Sequence, residues 1–394
     1  MQSMNGATRS ATPACAADTV ADTPSLGRVA IVHDYLNQRG GAEKVVLELS
    51  NMWPQAPIYT SLYRPDSTFD EFRGRDIRTS FLDRIPVDRG FRNLFPLYPA
   101  AFWSFGEIDA DVVLASSSGW AHMARAVEGA VHVVYCHTPA RWLYGEEHLG
   151  RDSRAALLSC FAGWFRQLDR RAARRADLYI ANCDGVRRRI VDTYGRDATV
   201  VWPPVDVERF TPHPRGERLL VISRLLPYKH VDLVVSAAKQ LGLELDVVGD
   251  GPLLDDLRRD GGLGVVFHGA ASEETVAGLL EACSLVCVAG EEDFGMVAVE
   301  AQAAGKPVVA YSRGGARETI IDGVTGALFE TQTVAEVAAA IAACERSDTS
   351  PEEIARMAGR FSRAAFRDGI TRTIASAARG RSNPARTPEL PAAA

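Results

Sequence analysis

The 394-residue chain lacks the marks of several large protein classes. Its seven cysteines are scattered, with no CxxC pair and no short disulfide framework, which fits a reducing cytoplasm. No apolar run reaches the ~20 residues of a membrane-spanning helix. Residues 1–25 are small, polar and proline-containing, with no apolar signal core; they and 381–394 read as disordered tails. Positive charge is not in excess: the net charge is −6, so no nucleic-acid partner is suggested. No GxGxxG opens the chain, which weighs against a Rossmann oxidoreductase. The serines at 116–118 do not form GxSxG, and no base pairs with them as a nucleophile would require. What remains is globular: 46% hydrophobic and 24% charged residues, in a length that suggests two domains.

The most informative stretch is EEDFGMVAVEAQAAGKP, residues 291–307. An apolar run over 284–289 reads as a buried strand, and 297–304 as a helix, with a short loop between. The first turn of that helix offers free backbone N–H groups and the positive end of a dipole, a place for a diphosphate. Gly295 lets backbone approach closely, beside Phe294, Met296 and Val297. Glu292 and Glu300 are two helical turns apart. Two carboxylates flanking a phosphate pocket suit a nucleotide sugar, one for the sugar hydroxyls and one for the ribose. Without its neighbours, Glu-x7-Glu would read as two surface glutamates.

Cations appear in the same half. Arg224 follows the strand 219–222 and Lys229 precedes the helix 231–241. Two cations beside a helix N-terminus disfavour the helix itself, so an anionic partner such as a pyrophosphate is inferred. The strand 245–248 ends in Gly249-Asp250-Gly251-Pro252, a tight turn with proline suited to the first helical position.

The first half opens with strand 29–33, then Gly40-Gly41, then a helix from Ala42; this is the start of a doubly wound α/β unit. His137 stands just past the strand 131–135, on the ligand side of such a sheet. Asp109-Ala110-Asp111 has the form of a DxD metal motif but leads straight into a strand, so it reads as a turn and no metal is assigned. Two stretches mix arginine with apolar residues, 77–99 and 153–175. The first packs its apolar side inward or lies at a membrane surface; the arginines of the second form a solvated face or, together with the first, contact anionic lipid, each contributing about 1 kcal/mol at a charged surface. The proline-rich 212–216 marks a domain boundary.

Taken together, EDFGMVAVEAQAAGKPVVA, SRLLPYKH, GDGP, the GGAE loop at 40–43 and YCHTPARW at 135–142 resemble the retaining glycosyltransferases of family 4, over roughly 28–375. The last of these motifs is similar to a mannosyltransferase-rich branch of O-antigen or exopolysaccharide type. The resemblance implies the GT-B fold: two Rossmann-like doubly wound α/β domains facing across a cleft. The acceptor domain would span 26–205 plus a returning helix at 359–379, and the donor domain 206–358. It implies catalytic roles for His137 (facing the donor sugar), Arg224, Lys229 and Glu292. Donor contacts would come from Gly40, Gly41, Gly249, Gly251, His268, Phe294, Gly295, Met296, Val297 and Glu300. It implies no metal and no cofactor beyond the donor substrate. The expected reaction moves a hexose, mannose from GDP-mannose, to a lipid-linked or exopolysaccharide glycan, in the cytoplasm or at the inner face of the plasma membrane. A UDP-sugar donor, or a sugar-nucleotide-binding protein without catalysis, would show the same pocket.

Overall fold

The structure, a computed structural model, describes residues 26–86, 94, 96–144 and 153–382. The expected tails at 1–25 and 383–394, and residues 87–93 and 95 of the first basic–apolar stretch, lie outside the described residues. Residues 381–382 belong to the end of a helix, Arg363–Ser382, rather than to a tail.

The strands are β1 Val29–His33, β2 Ile58–Thr60, β3 Ile77–Thr79, β4 Glu107–Ile108, β5 Val112–Ser117, β6 Arg125–Ala126, β7 Val131–Cys136, β8 Leu178–Ala181, β9 Thr199–Val200, β10 Leu219–Ile222, β11 Leu245–Val248, β12 Val265–Gly269, β13 Leu285–Val288, β14 Val308–Tyr311 and β15 Gly326–Phe329. Among the described residues they form a seven-stranded sheet ordered β3-β2-β1-β5-β7-β8-β9 and a six-stranded sheet ordered β12-β11-β10-β13-β14-β15, with β4 and β6 as a separate pair. All pairings are parallel. Parallel strands need helical crossovers, which cover both faces, so central strands are apolar throughout rather than alternating. β1, β5 and β7 are buried along their whole length.

In each sheet the chain starts in the middle, winds to one edge, then returns and winds to the other. The order reverses between β1 and β5 and again between β10 and β13. At such a reversal the loops part on opposite sides, and a crevice opens beyond the strand C-termini. The residues following these strands are therefore set on the cleft by topology.

The last helix returns to the first sheet. Phe366, Ile370 and Ile374 are buried in its core with Ile31, Val45 and Leu114. Arg367 Nε donates to the buried carboxylate of Glu48 at 2.5 Å. One apolar cluster crosses the domain boundary, joining Phe294, Val299, Ala358 and Phe361 to Cys183, Val186 and Val205. Phe361 stacks edge-on against Trp202 at 4.9 Å and Phe294 at 5.4 Å.

Candidate active site

A cavity of about 740 Å³ lies between the two domains. Its second-domain wall is built on the ends of β10 and β13. Arg224 follows β10 and is exposed, with its Nη2 donating to the Tyr228 hydroxyl at 3.0 Å. Lys229 ends the short helical turn Pro227–Lys229 and is buried. His230, next in sequence, has a φ of 49°, the one positive φ outside glycine among the described residues. That unfavourable conformation turns the chain sharply into the helix Val231–Leu241. Gly290 is bare for a reason: a Cβ there would sit 2.8 Å from Lys229 Cα. Lys229 Nζ donates to Glu292 Oε1, so the cation and the loop carboxylate form one ion pair on the cavity wall. The helix Met296–Ala303 starts after Gly295, whose φ of 86° is in the left-handed region. Its first-turn amides at Met296 and Val297 have no intrahelical acceptor, and both residues line the cavity.

The first-domain wall comes from Tyr35, the loop Gln38 to Gly41, Glu43, His137 and Asn182. Asp34, just past β1, is buried and spends its carboxylate on structure. It accepts from the amides of Ser118, Trp120 and Ala121 at 2.6–2.7 Å, pinning the loop after β5. His137 Nε2 lies 2.8 Å from the Ser116 hydroxyl. Burial, reinforced by the neighbouring His33, pulls its pKa down to about 3, so the ring is neutral at physiological pH. His33 moves the other way: burial opposes its charge, but contact with Glu43 outweighs this and raises its pKa. Asn182 is buried with its Oδ1 unpaired.

Charged contacts close the cleft. Asp293 takes both Arg141 and Arg189 from the first domain. Lys44 Nζ donates to Glu300 Oε1 at 2.7 Å. Glu318 accepts from the Asp184 amide at 2.8 Å and from Trp202 Nε1 at 3.0 Å.

Of the residues singled out from sequence, His137, Arg224, Lys229, Glu292, Gly40, Gly41, Gly249, Phe294, Gly295, Met296 and Val297 line this one cavity. Gly251, His268 and Glu300 are not among the lining residues. Gly251 serves packing: a Cβ on it would lie 2.5 Å from the Leu225 carbonyl, so the turn lies flat on the segment that carries Arg224. His268 belongs to a network on the strands, its Nε2 2.8 Å from Asp246 Oδ1, which also holds Arg218. The cavity is lined further on by Ala270 and Ala271, past the end of β12. Glu300 is committed to Lys44. Asp109 and Asp111 both bind Arg28, the first through its guanidinium and the second through its amide. In the first basic–apolar stretch, Leu82 and Tyr98 are buried while Phe81 and Leu97 are exposed.

Sequence reading passed over Asp293, Arg141, Arg189, Glu43 and Asn182. Asp293 lies inside the stretch 291–307, where nothing local distinguishes it from Glu291 and Glu292. Glu43 and Arg141 stand inside the GGAE and YCHTPARW segments, which mark them without giving them partners; Arg189 and Asn182 carry no motif, and the fold brings them to the cleft.

Residues 39–209 match the family described as Glycosyltransferase Family 4, and residues 208–361 match Glycosyl transferases group 1. The chain is 36% identical over 223 residues to a D-inositol 3-phosphate glycosyltransferase of Geodermatophilus obscurus, covering 48% of this chain and 50% of that one. The chain thus spans about half the length of the curated relatives it matches. Among solved structures it is similar to Anabaena Alr3699/HepE in complex with UDP-glucose, at 21% identity and a TM-score of 0.68, covering 89% of this chain and 100% of that one. The lipopolysaccharide outer core galactosyltransferase WaaB in its apo form is similar at 18% identity and a TM-score of 0.67, over 89% and 99% of the two chains.

Proposed function

We propose that the chain, which matches two glycosyltransferase families over 39–209 and 208–361 and shares its fold with solved glycosyltransferases, moves a hexose from a nucleoside diphosphate sugar to a glycan acceptor with retention at the anomeric carbon. The observation that supports this most is the convergence of Arg224, Lys229, Glu292 and His137 on one interdomain cavity. In this reading the donor's diphosphate lies against Lys229, Arg224 and the amides of Met296 and Val297. Glu292 and His137 hold sugar hydroxyls from opposite walls.

The anomeric C–O bond to phosphate breaks while the acceptor oxygen forms its bond on the same face. The acceptor's proton passes to the departing phosphate oxygen, so no separate base is needed. Charge on that oxygen grows toward the transition state. Preorganised donors in a half-closed site stabilise the late charge more than the early one, which lowers the barrier. The Lys229–Glu292 pair aims the Lys229 side chain along the cavity wall, in a place where an isolated cation would be costly.

The branch resemblance favours GDP-mannose as donor. A UDP-sugar is the second reading, supported by the UDP-glucose bound in a structurally similar protein. For the acceptor, the exposed face of the helix Ser153–Ala173 supports a lipid-linked glycan. Phe161 and Trp164 are each 56% exposed there, and the exposed Arg171 follows Trp164 two turns along the helix, as an anionic bilayer surface would require. Among the described residues no helix is long and apolar enough to cross a membrane.

A panel of nucleotide sugars tests the reading through thermal shift and nucleotide release. A donor present at 100 times its Kd raises stability by about 2.7 kcal/mol. GDP-mannose should give the largest shift together with slow release of GDP. A larger shift with a UDP-sugar moves the assignment to the second reading. Binding with no release from any donor points to a non-catalytic binder.

A further inference from the structure

The reading above uses His137 but not what holds it. β1, β5 and β7 are neighbours in the first sheet, and their register places His33 opposite Ser116 and Ser117 opposite Cys136. The strand ends thereby carry His33, Ser116 and His137 side by side. His33 Nδ1–H donates to the Ser116 carbonyl at 3.0 Å. The Ser116 hydroxyl meets His137 Nε2 at 2.8 Å. Behind His33, Glu43 of the helix Gly41–Met52 lies 3.8 Å from Nε2. His33, Ser116 and Glu43 are no more than 1% exposed.

A carboxylate so buried needs an ionic or hydrogen-bonded partner to remain charged. Gln38 supplies one hydrogen bond to Glu43 Oε1 at 3.0 Å, and the His33 ring, whose pKa the carboxylate raises, lies beside it at 3.8 Å. The glycine loop is shaped around this carboxylate: a Cβ on Gly40 would fall 2.6 Å from Glu43 Oε2.

We propose that His33, with Glu43 behind it at 3.8 Å, is a positioning residue: by fixing Ser116 through its carbonyl it keeps the Ser116 hydroxyl against His137 Nε2 and so sets the orientation and tautomer of the His137 ring. This rests on the reading in which His137 meets the donor sugar. With the Ser116 hydroxyl donating to Nε2, the proton of the neutral ring sits on Nδ1. That nitrogen has no partner among the described residues and is the one left to donate to a sugar hydroxyl. The groups facing His33 are Glu43, Asp34 and the Ser116 carbonyl. Those facing His137 are Ser116, His33 and the edge of Tyr135 at 5.2 Å, with Lys229, Glu292 and Asn182 on the same cavity.

Nitrogen–proton correlation NMR of the histidine rings on the full chain tests this without turnover, with His137→Gln assigning the signal. Expected in the unaltered protein is a single neutral Nδ1–H tautomer of His137 from pH 5 to 8. In His33→Asn and in Glu43→Gln, the tautomers should mix or the ring should protonate at higher pH. Turnover of the best donor should fall at least tenfold in kcat with KM within about threefold. Should His33→Asn fail to fold, Ser116→Ala keeps the carbonyl that His33 bonds but removes the hydroxyl that meets His137 Nε2, a smaller change that must mix the tautomers too. An unmoved His137 signal in the folded variants overturns the proposal. If no donor is turned over by the unaltered protein, the glycosyltransferase reading fails, while the tautomer result still decides whether His33 positions the ring.

Discussion

The two walls of the cleft solve different problems. The second-domain wall presents charge: Arg224 is exposed, and Lys229 and Glu292 meet on the surface of the cavity. The first-domain wall hides charge: His33, Glu43 and Asp34 are all within 2% of full burial, and a neutral His137 is what reaches the cavity. A wall that must bind a dianion needs fixed positive charge in contact with it. A wall that must orient uncharged hydroxyls needs a rigid, neutral surface, and the charges behind it serve to hold that surface still.

This contrast makes predictions that differ by wall. The largest effect is expected on the charged wall. Lys229→Ala and Glu292→Ala should each lower kcat/KM by about 10² to 10³ with circular dichroism unchanged, and Glu292→Ala should also lower Tm because it leaves the buried Lys229 side chain without its carboxylate partner. Turnover at the original rate by either folded variant would break the site assignment.

The buried wall should answer to pH. His137 has a folded pKa of about 3 against an ordinary 6.5. The unfolded chain takes up its proton first as pH falls, so this group removes stability progressively from about pH 6.5 down to about 3. His33 has the opposite sign. Its pKa is raised in the fold, so its contribution is complete below the ordinary value and is lost as pH rises through the folded one. Urea melts from pH 3 to 8 should show His137→Gln flattening the acid limb. An acid limb of unchanged slope would mean that His137 is not the group titrating there.

The smallest effect is expected at the contact joining the walls. Lys44 and Glu300 pair at 2.7 Å, but the lysine side chain is 38% exposed. Solvent screens such a pair to about 1 kcal/mol or less. Lys44→Ala should shift Tm by only a few degrees and leave kcat within about twofold. A loss as large as that of Lys229→Ala would make this contact part of the chemistry and erase the contrast between wall and hinge.

Much of the charged wall was legible in sequence because its parts lie in short contiguous segments. Arg224 and Lys229 are five residues apart, and Glu292 to Val297 form one loop and helix start. A strand end followed by a helix start defines local geometry whatever surrounds it, so type and spacing carried the meaning. Locality carries less where strands alternate: His268 sits within β12 before its end, and its side chain meets Asp246 rather than the cavity. Glu300 had the spacing of a ligand-binding carboxylate, yet a lysine from the other domain holds it.

From sequence alone came the two doubly wound halves and the residues that follow their strands, because hydrophobic runs and the turns between them are properties of neighbouring residues. The tertiary structure alone decided which distant groups share a site. His33, Ser116 and His137 span more than a hundred positions and meet because parallel strands in register stack their ends into one row, while Glu43 reaches them from the helix Gly41–Met52. Burial then determined which of these groups is charged and which neutral, since the cost of a charge depends on what surrounds it in space and not on its place in the chain.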